Sequence, residues 1–108
     1  MNTVSLIGRV AGEPQLRRTR AGIAECRMRL AIPRYSGGGA REPGVVYVEA
    51  STFGLRAQEC AERLHEGSNV GLSGRLEDDP PDEGLGVYID QLDFLDQREP
   101  EPESEAGS

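Results

Sequence analysis

Val45-Val46-Tyr47-Val48-Glu49-Ala50-Ser51-Thr52-Phe53-Gly54 runs straight into Leu55-Arg56-Ala57-Gln58-Glu59-Cys60-Ala61-Glu62-Arg63-Leu64-His65-Glu66-Gly67, and this stretch decides the fold. Its first half alternates. Val46, Val48, Ala50 and Thr52 take one parity, and the two rings Tyr47 and Phe53 take the other, so the spacing predicts a strand with two unlike faces. After a one-glycine corner at Gly54, Ala57, Cys60, Ala61 and Leu64 follow the i, i+3, i+4, i+7 rule of a short amphipathic helix. Gly67 stands where a left-handed C′ residue would stop that helix. His65, the lone histidine, falls at the helix end, where the dipole favours a cation and nothing suggests catalysis.

The rest of the chain arranges itself around this unit. Thr3 to Ala11 predicts a first strand with Val4, Leu6, Gly8 and Val10 on one face, and Gly12 to Gly22 an arginine-rich connection. Ile23 to Ile32 predicts a second strand, with Cys26, Met28, Leu30 and Ile32 inward and Arg27 and Arg29 outward beside Glu25 and Ala31. Pro33 ends it, and a glycine-rich loop leads to the third strand. Asn69 to Leu76 predicts a fourth strand with Val70, Leu72 and Leu76 inward. Glu77 to Gly86 is an acidic, proline-containing turn, and Val87 to Leu95 is a fifth strand. Five strands with one helix between the third and fourth is the order of the OB-fold, a small Greek-key barrel whose helix plugs one end. The expected organisation is all-β with one short helix: an OB-fold domain over residues 1–96 and an acidic tail over 97–108. That tail has no apolar residue larger than alanine and is expected to be disordered.

A chain of 108 residues suffices for one modest core. No apolar run approaches the ~20 residues of a membrane span, and the alternating N-terminus lacks the apolar block of a secretory signal. Cys26 and Cys60 lack CxxC spacing and are expected to be reduced core thiols of a cytoplasmic protein, with a disulfide between them the alternative. The net charge of −7 conceals an asymmetry. Residues 1–76 hold eleven of the twelve arginines against seven acids, whereas residues 77–108 hold one arginine against twelve acids. A basic body with an acidic end points to nucleic-acid contact plus an acidic tail. The chain has no lysine; arginine's planar fork suits phosphate and base stacking, but the codon bias of a GC-rich genome is the expected explanation.

A strand that shows its rings to solvent forfeits hydrophobic stabilisation, and exposed rings are what single-stranded nucleic acid stacks on. The competing reading of Tyr47 and Phe53 is a core covered on both faces. For Arg27 and Arg29 it is a solvated face that suppresses aggregation. Arg34 and Arg41 flank the triple-glycine loop, either as a finger closing on DNA or as ordinary solvation. Arg17, Arg18 and Arg20 add phosphate potential. The chain has no P-loop glycine motif, no histidine–cysteine metal set and no nucleophile served by a histidine, so neither an enzyme nor a cofactor or metal is expected.

Further segments carry a resemblance. They are Met1-Asn-Thr-Val-Ser-Leu-Ile-Gly-Arg9, Glu13-Pro-Gln-Leu-Arg17, Arg29-Leu-Ala31, Phe53-Gly54 with its helix, Glu66-Gly-Ser-Asn-Val-Gly-Leu-Ser-Gly-Arg-Leu76 and Asp93-Phe-Leu95. In this order they resemble the bacterial single-stranded DNA-binding proteins. The resemblance implies sequence-independent binding of single-stranded DNA in replication, repair or recombination, in a nucleoid-associated homo-oligomer (dimer or tetramer) that recruits other replication and repair proteins. It implies that Tyr47 stands at a stacking position usually held by tryptophan, that Phe53 matches a stacking phenylalanine and that Arg17 matches a basic contact. Arg27 and Arg29 would face DNA, Tyr35 lies near a further aromatic position, and Thr3, Ser5 and Ile7 belong to the strand that builds the dimer contact. The chain also departs from the pattern. Gly71 occupies an often aromatic position, the hairpin at Glu77–Gly84 is acidic and ring-free, and the tail lacks an apolar tip. Phosphate should be repelled by that hairpin. Two alternatives follow: an OB-fold interaction module similar to the primosomal replication protein, and a DNA-deficient paralogue acting by mixed oligomerisation.

Overall fold

The computed structural model describes residues 1–34, 44–79 and 84–95. These form β1 (Val4–Val10), β2 (Gln15–Arg18), β3 (Ala24–Arg34), β4 (Gly44–Phe53), α1 (Leu55–Arg63), β5 (Asn69–Asp79) and β6 (Gly84–Phe94). Neighbouring strands run β1–β5–β6–β4–β3–β2, and a further pairing of β1 with β3 closes five of them into a ring. All pairings are antiparallel except β4 with β6. This is the five-stranded Greek-key barrel of the OB-fold, as the order of elements predicts.

The inward parity of each strand fills the barrel with Val10, Cys26, Met28, Leu30, Ala50, Val70, Leu72, Val87 and Ile89, all buried. Ala57, Cys60 and Leu64 of the helical unit close one end and join the same core. Closure depends on one small residue. β1 meets β3 only at Arg9↔Ala31 and Val10↔Leu30. A side chain at Gly8 would start 2.6 Å from Ile32 Cδ1 and 2.7 Å from the Ala31 carbonyl oxygen. Only glycine lets the strands cross so closely.

The structure corrects several details. The arginine-rich connection contains β2, which pairs Gln15↔Arg27 to Arg18↔Ala24. All four of its residues are exposed, so it carries no alternation for a sequence reading to detect. β3 continues through Pro33, paired with Val45. Beyond Ala31 it has β4 alone as neighbour, the situation in which a strand tolerates proline. The acidic turn is mostly strand: Glu77, Asp78 and Asp79 pair with Gly86, Leu85 and Gly84. Leu76 shares the inward parity of its partner Val87 but stays 42% exposed. A register shift lies where Ser73↔Gln91 gives way to Gly74↔Ile89. The extra β6 residue flips its alternation, so that Val87 and Ile89 point inward but Leu92 and Phe94 follow the opposite parity onto the core. Gly67 is left-handed (φ 97), yet the helix cap is Leu64. Gly67 serves the following turn instead, where its N–H donates to the Val10 carbonyl at 2.7 Å. His65 follows the helix end as expected, and its Nδ1 lies 3.7 Å from Glu13 Oε1.

Candidate nucleic-acid interface

The outward residues of β2, β3, β4, β6 and β5 form a grid fixed by strand register. One row runs Gln15, Arg27, Ser51, Tyr88, Arg75; beside it lie Arg17, Glu25 and Phe53, and on the other side Arg29 with Glu49, then Tyr47 opposite Ala31, which β1 covers. Tyr47 and Phe53 thus share a face, as the alternation requires. Six residues along a strand separate them by about 20 Å, which makes two platforms rather than one.

Tyr47 is 53% exposed, with the Arg29 guanidinium carbon 4.6 Å from its ring centroid. Phe53 ends β4 and is half-buried, stacked on Tyr88 at 5.8 Å between centroids and 22° between planes. The opposite charge of each acid holds the nearby arginines: Arg17 Nε donates to Glu25 Oε1 at 3.1 Å, and Arg27 Nη2 lies 3.8 Å from Glu49 Oε1. Arg75 Nε donates to Glu77 Oε2 at 3.1 Å, its Nη1 lies 3.5 Å from Asp90, and its guanidinium carbon lies 4.5 Å from the Tyr88 centroid.

Tyr88, with Arg75 over its ring, is a functional candidate that the sequence reading missed. The signal was available, because Tyr88 sits between the inward pair Val87 and Ile89 and must point out. The acids are the other omission: Glu25 stood on the expected outer face, but its role as partner to Arg17 depends on β2, which had no sequence signature.

The remaining candidates lie elsewhere. Arg34 pairs with Gly44 and shares its parity with Leu30 and Ile32, not with Arg27 and Arg29. Tyr35 and Arg41 lie outside the described residues. Ser5 and Ile7, with Ile7 68% exposed, line a separate apolar cleft with Ile32, Pro33 and Leu95, opened where β1 diverges from β3. Thr3 is exposed just before β1. Gly71 also faces this cleft: a Cβ there would meet Leu95 and Ile7. The ring that this position lacks would therefore extend the cleft, not the platforms.

Both cysteines are free and buried in one core. Burial, and secondarily Cys26, pushes the Cys60 thiol up to about 12, and burial with the charge of Glu25 raises Cys26. Such thiols are poor nucleophiles and poor metal ligands. Among the described residues no group of three His, Cys, Asp or Glu is placed to hold a metal ion, and no helix is long and apolar enough to cross a membrane.

The model of the single-strand binding protein family matches residues 1–90. The chain is 32% identical over 109 residues to single-stranded DNA-binding protein B of Bacillus subtilis (strain 168), covering 97% of this chain and 96% of that one. It is 28% identical over 106 residues to the single-stranded DNA-binding protein of Thermosynechococcus vestitus, covering 91% and 85%. In fold it is similar to the crystal structure of the SSB domain of a Synechococcus protein, with a TM-score of 0.70 at 24% identity over 85% of this chain and 93% of that one.

Proposed function

Because this chain belongs to the single-strand binding protein family, we propose that it binds single-stranded DNA across the outer face of β2, β3, β4 and β6. The observation that carries the reading is the aromatic pair Phe53–Tyr88 at one end of that face and the exposed Tyr47 at the other. Bases stack on these rings, and Arg17, Arg27 and Arg29 between them track phosphates. Stacking needs only the π-face of a base, so the binding is largely independent of sequence. The protein would serve replication, repair or recombination in the cytoplasm, as a homo-oligomer joined through β1.

Anisotropy of a fluorescein-labelled oligothymidine, with duplex as control, tests this. Binding to the single strand alone is expected. Tyr47→Ala and Phe53→Ala should each weaken it by about five- to a hundredfold while the far-ultraviolet spectrum stays native. Equal affinity for duplex, or no effect of either substitution, would refute the stacking mechanism.

The apolar cleft beside Ile7 favours a second reading: an OB-fold module working through protein contacts, including mixed oligomers with a related chain. A new species on a sizing column after mixing the two chains would support it.

A further inference from the structure

We infer that the Phe53–Tyr88 end of the interface favours bases bearing an amino group (cytosine, adenine or guanine) over thymine. The inference rests on the single-strand reading above and narrows its substrate. The groove beside these rings is lined by Glu25, Arg27, Glu49, Glu77 and Asp78. Its arginines are committed, Arg17 to Glu25 and Arg27 to Glu49, and Arg75, outside the lining, pairs with Glu77 and Asp90. Two of its acceptors, Glu77 and Asp78, keep carboxylate oxygens to spare. Glu77 meets Arg75 through Oε2, leaving Oε1 without a partner among the described residues, and Asp78 has no ion-pair partner among them.

A base stacked here therefore meets carboxylate oxygens at its edge. An ionised carboxylate only accepts. The N4 amino group of cytosine donates to such an acceptor, as do the amino groups of adenine and guanine. Thymine offers carbonyl oxygens on either side of a single N–H, and those lone pairs would face negative charge. Sequence-independent stacking thus acquires a bias at one end of the site.

Labelled 15-mers of thymidine and of deoxycytidine, compared at pH 8 where cytosine stays unprotonated, test this directly. The full-length chain is expected to bind the cytosine strand about three- to tenfold more tightly. Asp78→Ala and Glu77→Ala should each shrink that ratio, and the double variant should bring it to one. Thymidine binding should hold or strengthen as the negative charge is lost, which also shows that the variant is folded. Equal binding of the two strands by the unaltered protein, tighter binding of thymidine, or a ratio unmoved in the double variant would overturn the selectivity while leaving the single-strand reading intact. Failure to bind either strand would overturn both.

Discussion

At the scale of single residues, the glycines separate what folding requires from what it tolerates. Gly74 lies at the β5–β6 register shift, and a Cβ there would collide with the Tyr88 carbonyl oxygen and lie 3.1 Å from Ile89 Cα. Backbone cannot swing away as a side-chain tip can. Gly74→Ala is expected to destabilise by about 2–4 kcal/mol, in the range of core overpacking and strain. Gly71 sits three residues earlier in the same strand, and its added Cβ would make ordinary contacts at 3.7 Å with Leu95 and 3.8 Å with Ile7. Gly71→Ala should be neutral or stabilise by about 0.5 kcal/mol through the unfolded chain. Urea denaturation of the two variants checks the contrast, and similar midpoints would sink it. Neither role was legible beforehand. In the sequence both glycines are small residues in a predicted strand, and only the register assigns one to backbone crowding and the other to a cleft wall.

At the scale of elements, alternation and helical spacing carried most of the fold. Val46 to Phe53 and Ala57 to Leu64 predicted the inward and outward faces of β4 and α1 as they stand, apart from Val46, which is 49% exposed near the strand's start. What escaped were elements without contrast: β2, exposed along its length, and the acidic end of the β5–β6 ribbon, where Glu77, Asp78 and Asp79 pair with Gly86, Leu85 and Gly84. The helix plug yields its own prediction. Cys60 on α1 and Cys26 on β3 share one core, with both thiols held protonated by burial. Reaction with a thiolate-seeking reagent at pH 8 therefore requires opening of the helix–barrel contact. Labelling should be undetectable on the timescale of a free thiol, and should accelerate at a urea concentration that begins to unfold the chain. Prompt modification of either cysteine in the native protein would show that the plug opens without global unfolding.

For the whole molecule, surface chemistry divides between two places. The cleft at Ile7, Pro33 and Leu95 is apolar and exposed, and the proposed oligomer would bury it. Ile7→Glu should therefore lower the mass measured by light scattering to that of a single chain while leaving the barrel folded, because Ile7 contributes nothing to the core. An unchanged mass would place the oligomer contact elsewhere or deny it.

The platform face is governed by charge that is already neutralised internally. A phosphate reaching Arg17 competes with Glu25 at 3.1 Å, and one reaching Arg27 competes with Glu49 at 3.8 Å. Fewer solution ions are released than the arginine count suggests. With only two or so effective cations engaged, the plot of log affinity against log salt should fall with a slope of about −1 to −2. This departs from the strong salt dependence that a basic body implies, and it leaves stacking as the main source of affinity. Glu25→Gln retains an acceptor for Arg17 but removes the charge. It should raise affinity at low salt and steepen the slope by about 0.7, one further counterion. Titrations at four salt concentrations decide the matter. A slope steeper than about −4 in the unaltered protein, or no change in the variant, would mean that the arginines act on phosphate free of their acidic partners.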